Sequence, residues 1–558
     1  MPPKTRRVIG RSLCGLLLLL GACTRASSSA GPRAPELGVE SGLPDHPQPR
    51  RGGHLVYGLE AETDAGWCLS SATLAISGLQ VVRAIYDPLT IPDGKGGYVP
   101  YLAKTLTHDP TYRVWTLTLR SGVTFHDGEP LTAKVVKDNL DAFRGVPGDH
   151  KRDSLLFAFQ LKNITGVEVL NDLTVQITTE VPQPALPGML YSSGRLGMMA
   201  PKQLNASPRD CADDPIGTGP FRFVDWKPGE RLLTTRNPDY WKQAPDGQPY
   251  PYLDSIEFRP MPNNDERIAA LREGTINMLH TSSVADMVGS LALLRDAGEI
   301  NLLVSNTQTE SVYSLFNTSV PGLDDRETRV AAAQAVDRSK LNDLGNAGFA
   351  NVLDGPFGPG VLGYLEDNGY PAYDPAAAKR TVARLKAEGK RTSFTLLTPE
   401  NPANLRLAGI AQSMLKDAGF DIRLEVISEA DLVQRVIAGD YEVAAFRNHP
   451  GEDPDLNYVW WYGEANPVNF GRFNDPIINE NLDLGRSATD PNVRRKAYEA
   501  VNRQFGSEVW NLWLFQTPWA VAEAATVHGI LGPPLDAKTP APPRIVTGHP
   551  LIGIWIDP

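Results

Sequence analysis

Apolar and polar positions recur along this chain with two periods, and the switches between them mark its elements. At 114–119, Trp115, Leu117 and Leu119 alternate with Thr116 and Thr118, the period-2 pattern of a half-buried strand. A helix is expected over 133–143, started by Thr132 as its cap, and 167–170 with 174–178 reads as a hairpin around Asn171-Asp172. Upstream, a short strand at 53–59 opens the folded body, and 77–86 predicts a helix. Downstream come a strand at 256–259, a helix at 265–273 stopped by Gly274, a strand at 313–317, and helices at 326–336 and 375–386. Between 392 and 446 the pattern runs strand, helix, strand, helix, strand, which implies parallel strands joined by right-handed crossovers. A helix at 492–505 and an aromatic-rich run at 510–522 follow.

One stretch carries more information than its periodicity: DPIGTGPFRFVDWKPGERLLTTRNPDYW, residues 214–241. Gly217 and Gly219 bracket Thr218, so the backbone there takes positive φ or passes close to another group, and Pro220 fixes φ before a strand begins at Phe221. Pro228-Gly229 is a turn signal, and 231–235 returns as the second arm of a hairpin that ends at Asn237-Pro238-Asp239.

Composition changes this picture in two ways. The 558 residues, 41% hydrophobic and 21% charged, are ordinary for globular proteins and long enough for several domains. A net charge of -11 argues against a nucleic-acid footprint. The N-terminus stands apart: Lys4, Arg6, Arg7 and Arg11 precede an apolar run at 13–20 and then Gly21-Ala22-Cys23, a secretory signal too short to span a membrane. Residues 24–51, rich in Ser, Pro, Gly and Ala, read as a flexible tether.

The 214–241 stretch resembles the GTGPF and NPDYW signature of the family 5 solute-binding proteins, extracytoplasmic receptors of ABC importers for peptides, nickel chelates and other small solutes. Segments at 113–136 (RVWTLTLRSGVTFHDGEPLTAKVV), 316–338, 373–389 and 490–505 match further family motifs in order, so the resemblance covers about 53 to the C-terminus. Leu20-Gly21-Ala22-Cys23 resembles a bacterial lipobox, which implies cleavage before Cys23 and a diacylglycerol on its sulfur.

The resemblance implies an α/β, two-lobed periplasmic-binding-protein-like fold of class II type. Its expected parts are a signal peptide (1–22), a lipid-anchored tether (23–52), lobe I (53–262, with an extra subdomain at about 81–201), lobe II (263–517) and a return to lobe I (518–558). The implied protein is a monomer that captures a small solute, peptide or peptide-like, and docks on a membrane permease with ATPase subunits. It uses no cofactor and holds no metal.

A secreted hydrolase with a similar cleft is the rival. The chain lacks GxSxG, HExxH, GxxxxGK[ST] and a GxGxxG between strand and helix. His126 beside Asp127 reads as a structural turn and no catalytic residue is expected; His449 near Asp453 and Asp455 reads as turn and cap chemistry, not a metal site. With Cys14 in the signal and Cys23 lipidated, Cys68 and Cys211 remain, and an oxidising compartment favours a disulfide between them over two separate buried thiols.

For the ligand, the loop at 446–455 (FRNHPGEDPD) corresponds to the one that, in the family's peptide receptors, carries an Asp for the free α-amino group. Here the loop is one residue shorter and offers Pro450 or Gly451 at that place. Arg447, Asn448 and His449 present donors suited to a carboxylate, with Trp67, Trp460 and Trp461 as flanking aromatics and Glu62, Asn317, Asp453 and Asn469 completing the expected site. On this reading Arg447→Ala weakens solute binding by about 1.5 kcal/mol or more, and free dipeptides and tripeptides bind less well than a ligand with a blocked or absent amino terminus.

Overall fold

The computed structural model describes residues 48–62, 66–72, 74–93, 95–146, 155–305, 310–449, 451–530, 532–533 and 551–557. The expected signal segment, Cys23 and the tether up to residue 47 lie outside the described residues. No helix among the described residues is long and apolar enough to cross a membrane.

Two mixed sheets organise the folded chain. The first has seven strands in the order Ile300–Ser305, Trp519–Ala524, Met278–Thr281, His54–Leu59, Ser255–Pro260, Arg231–Arg236 and Phe221–Lys227. The second has six, in the order Asn351–Val352, Asn511–Gln516, Ser311–Phe316, Val443–Asn448, Ser393–Pro399 and Asp421–Ile427. In the second sheet alternate residues of Val443–Asn448 pack on opposite faces: Val443 and Ala445 join one apolar cluster, Ala444 and Phe446 the other. The parallel pairing of Ser393–Pro399 with Asp421–Ile427, around the helix Pro402–Asp417, is the βαβ unit that the sequence pattern implies.

A four-stranded antiparallel sheet (Ala103–His108, Val114–Leu119, Thr174–Thr179, Ile164–Asn171) forms the elaboration of the first lobe. The alternation at Val114–Leu119 is realised there: Trp115, Leu117 and Leu119 are buried and the threonines half-buried. The helix Ala133–Phe143 covers this sheet, with the Thr132 side chain accepting from the Val135 N–H. Its apolar residues and those of the first sheet form one continuous cluster, so this elaboration shares a core with its lobe.

The lobe boundary differs from the sequence expectation of 263. Met278–Thr281 pairs parallel with His54–Leu59, and Ile300–Ser305 pairs antiparallel with Trp519–Ala524, so both belong to the first sheet. The helix Asn264–Arg272 connects two strands that flank His54–Leu59 in that sheet, and does not lead to the second lobe. The crossing falls between Ser305 and Ser311. The return lies at Thr517-Pro518, since Asn511–Gln516 and Trp519–Ala524 lie in different sheets.

The hairpin Phe221–Lys227/Arg231–Arg236 forms the edge of the first sheet, and the aromatics that follow are anchored on one buried carboxylate. Asp87 accepts from Tyr240 Oη at 3.1 Å, Trp241 Nε1 at 3.0 Å and Thr218 Oγ1 at 3.2 Å. Burial pushes the Asp87 carboxyl up to about 6, with Arg83 and these donors opposing the rise. His126 closes the same turn from its other side, its ring bonded to the Gly219 carbonyl and the Gly217 N–H, and burial lowers it to about 4. It is a structural pin.

Cys68 and Cys211 form a disulfide across 143 positions, joining the loop after the first strand to the helix Pro208–Asp213 that leads into this turn. The same loops are tied by Trp67 N–H to the Ala212 carbonyl at 2.9 Å and by Gln203 Nε2 to the Cys211 carbonyl at 2.8 Å. Because those bonds survive its removal, the double variant Cys68→Ser/Cys211→Ser is expected to lose about 2 kcal/mol, the low end for a lost disulfide, read by urea unfolding. A loss under about 0.5 kcal/mol would show that the crosslink restrains nothing in the unfolded chain.

Candidate ligand-binding site

A cavity of about 250 Å³ lies between the lobes. It sits at the carboxyl ends of His54–Leu59, Met278–Thr281, Ser393–Pro399 and Val443–Asn448, where the backbone leaves each sheet and side chains of both lobes converge. Contacts between the lobes close it. Gln183 Nε2 donates to Asp455 Oδ2 at 2.7 Å, Ser193 Oγ to the His449 carbonyl at 3.2 Å, and the Glu452 N–H to Tyr98 Oη at 3.3 Å.

The lining has a charged sector centred on Arg447. Its guanidinium lies 3.3 Å from Glu429, 3.9 Å from both Glu60 and Glu310, and 3.1 Å from Ser282 Oγ, with Trp519 beneath it at 5.2 Å from ring centroid to charge. Glu60 in turn accepts from the Ser282 N–H at 2.6 Å and lies 3.5 Å from the buried Arg267. Burial would raise the Glu60 carboxyl, but Arg267 and Arg447 outweigh it and hold the group below its ordinary value. For Glu310 burial wins: its carboxyl is raised, although Arg447 and a 2.7 Å bond from Trp519 Nε1 oppose the rise. His280 stacks on Trp519 with centroids 5.4 Å apart, and burial lowers it to about 3, so it is neutral at physiological pH.

The second sector is apolar. The helix Glu429–Ala438 contributes Leu432 and Ile437, and Val468, Phe470 and Trp460 continue the surface, with Trp460 and Phe470 centroids 5.8 Å apart. Ser428 caps that helix and places Glu429 at its first position, beside Arg447.

Of the residues expected from sequence, Glu62, Arg447, Asn448, His449 and Trp460 line this cavity. Asn448 is buried with no hydrogen-bond partner for its Nδ2 among the described residues, and His449 is held neutral, burial and then Arg195 lowering it to about 3. The other five do not line it. Trp67 is buried in the first lobe, edge-on to Trp226 at 5.6 Å, because its backbone bond to Ala212 turns it inward. Trp461 is core, packed on Trp513 and Phe505 with its Nε1 on Asn457. Asp453 caps the turn Pro454–Asn457 and pairs with Arg494 at 2.8 Å. Asn317 binds the Tyr441 carbonyl and Asn469 the Phe473 carbonyl, both as turn-closing groups.

Two expectations for the ligand change as a result. Arg447 does not offer an open fork to a carboxylate, because Glu429 and Ser282 accept from it and Glu60 and Glu310 hold its charge from 3.9 Å. The lining also holds Glu62, Glu310 and Glu429, so the cavity carries acceptors fit for an ammonium group and gives no reason for blocked peptides to bind best. Sequence reasoning missed Glu60, Glu310, Glu429 and Arg195. Asp455 is spent on the buried Arg486 at 2.8 Å, and among the described residues no group of three or more His, Cys, Asp or Glu is arranged to hold a metal ion.

Residues 97–470 match the family described as bacterial extracellular solute-binding proteins, family 5. The chain belongs to this family. Among its relatives, the glutathione-binding protein GsiB of Salmonella paratyphi A is 29% identical over 493 residues, covering 86% of this chain and 87% of the relative. The oligopeptide-binding protein AppA of Bacillus subtilis is 24% identical over 509 residues, covering 86% and 85%. Among solved structures, the periplasmic binding protein DppA of Helicobacter pylori, in complex with the peptide STSA, superposes with a TM-score of 0.79 at 23% identity, over 91% of this chain and 99% of that one. The family 5 receptor is therefore a two-lobed solute-binding protein and not an enzyme.

Proposed function

We propose that this receptor serves an ABC importer, capturing a peptide or peptide-like small solute between its lobes and presenting it to a membrane permease whose ATPase subunits supply the energy. The observation that carries this reading is the cavity between the lobes at the strand ends of both sheets, with one charged and one apolar sector. Its volume of about 250 Å³ falls below the roughly 300–1,000 Å³ of sites for drug-sized ligands. That supports a solute of dipeptide or tripeptide size over a long peptide. The relatives named for glutathione and oligopeptides accord with the same class. Closure without solute must be balanced or unfavourable, because a state already shut could not report occupancy.

Calorimetry with a library of dipeptides and tripeptides, followed by recovery of the peptide, tests the proposal. Saturable one-to-one binding with the peptide unchanged is the expected result. Hydrolysis, or no binding by any member, contradicts it.

The lipobox-like stretch at Cys23 supports a lipid anchor that holds the monomeric receptor at the outer face of the cell membrane. Cys23→Ala is then expected to move the protein from the membrane fraction to the soluble extracytoplasmic fraction. A variant that stays wholly with the membrane argues for another attachment.

A further inference from the structure

Three arginines stand in or beneath the cavity, and they differ in what their charge meets. Arg447 and Arg267 each have a carboxylate within 4 Å. Arg195, contributed by the first lobe, has none among the described residues. Its hydrogen bond among the described residues runs from Nη2 to the Leu74 carbonyl at 3.4 Å, long and weak, and leaves its other N–H donors unbonded there in a side chain that lines the cavity. Glu310, Tyr191 and His449 are the titratable groups that its charge reaches. Glu310 is already held by Trp519 and Arg447. His449 is neutral, and its carbonyl is taken by Ser193. The side chain is half-buried, and burial pulls its guanidinium down to about 10, still cationic at neutral pH.

We infer that Arg195 is the specificity-determining residue of the cavity, holding a carboxylate or like anion of a small amphipathic solute whose apolar group lies against Leu432, Ile437, Phe470 and Trp460. The inference rests on the receptor reading above and names its solute class. Shutting the lobes over an empty cavity encloses the guanidinium unpaired, an unfavourable step. A solute carboxylate supplies the missing charge and two acceptor oxygens that match the guanidinium fork, so closure becomes favourable only with the right occupant. A primary amide of the same shape has no charge to give and turns its NH₂ donors toward the donors of Arg195. The apolar sector then selects the neighbouring group by burial, since Leu432 and Phe470 come from the lobe opposite Arg195.

The test is calorimetry on a panel of dipeptides with apolar C-terminal residues, leucyl-phenylalanine among them, each compared with its C-terminal amide. The wild-type protein is expected to bind the acids about tenfold or more tighter than the amides, the worth of one charge-assisted hydrogen bond. Arg195→Gln should weaken the acids by that factor and erase the difference, with thermal unfolding not lowered, because Arg195 makes one weak hydrogen bond and no ion pair among the described residues. Arg195→Lys should keep part of the preference, which a merely structural role would not produce. Equal binding of acid and amide by the wild type, or a preference that survives Arg195→Gln, overturns the inference and leaves the receptor reading standing. Failure of every acid and every amide to bind overturns the peptide-receptor reading and this inference with it.

Discussion

Arg447→Ala is expected to cost about 3–5 kcal/mol of folding stability at neutral pH, the range for removing one partner from a buried ionic group. The cause is what the substitution leaves behind. Glu310, with a side chain 1% exposed, and Glu60, 10% exposed, lose a cation 3.9 Å away, and Glu429 loses one at 3.3 Å. Arg267 still faces Glu60, and Trp519 Nε1 still bonds Glu310, but Arg195 is the remaining cation near Glu310 and is not paired with it.

The pH dependence separates this cause from simple loss of packing. The Glu310 carboxyl is already raised by burial, and removing Arg447 takes away the largest opposing effect. A carboxyl whose folded pKa lies above its unfolded value binds protons more readily when folded, so its contribution to stability falls as pH rises through that window. The penalty of Arg447→Ala should therefore be largest at about pH 7 to 8 and shrink on acidification toward about pH 5. Adding Glu310→Gln should recover part of the loss at neutral pH. Denaturant unfolding of the wild type, the single and the double variant across this range gives the answer. A loss below about 1 kcal/mol that does not change with pH contradicts a buried ionic centre.

Gly217→Ala carries the second large effect, about 3 kcal/mol, the upper part of the usual cost of overpacking. A Cβ at Gly217 would lie 2.1 Å from the Ile85 carbonyl oxygen, and one at Gly219 would lie 2.4 Å from the Ile85 carbonyl carbon. Both obstacles are backbone, and the Gly219 N–H donates to that same oxygen at 2.8 Å, so neither side can yield without breaking the contact. Neither glycine has positive φ; they are required for close approach alone. The helix Ile76–Ile85 is thus clamped to the hairpin edge of the first sheet. Gly229→Ala is the control: it meets no atom within 4 Å but has φ +77, so its cost is the smaller strain of a left-handed residue, about 1 kcal/mol. Similar losses for Gly217→Ala and Gly229→Ala in urea unfolding would show that the approach to Ile85 is looser than the structure has it.

What the sequence made legible was local. The alternation at Val114–Leu119, the cap at Thr132 and the hairpin after Pro220 each depend on neighbours within a few positions, and each lies where its pattern places it. The two glycines were legible as a constraint, though positive φ and close approach could not be told apart before Ile85 came into view. The cavity was half legible. Arg447, Asn448, His449 and Trp460 sit near one another in sequence, from the end of the strand Val443–Asn448 to the helical turn Tyr458–Trp461, and they line the cavity. Their partners do not sit near them: Glu60 and Arg195 reach the site from the first sheet and its elaboration, and Glu310 from the start of another strand. No spacing rule connects positions 60, 195, 310 and 447, which meet only because two sheets point their strand ends at one cleft. Trp67 misled for the converse reason. Its loop borders the cleft, but the disulfide at Cys68 and the backbone bond to Ala212 turn its ring into the core.

The crossing between lobes was misplaced on similar grounds. A helix followed by a strand at 264–281 reads the same whether the strand rejoins the first sheet or begins a second, and pairing with His54–Leu59 decides it. Such pairing is a property of the assembled sheet and leaves no mark within the segment.

Native mass spectrometry of the receptor purified without denaturation from its own host reads the bound solute directly. The expected result is a population carrying one small solute per chain, released unchanged on unfolding, bearing a carboxylate or like anion and an apolar group, and lost from Arg195→Gln. A bound solute without an anionic group, a long peptide, or a chain that emerges bare under every condition contradicts it.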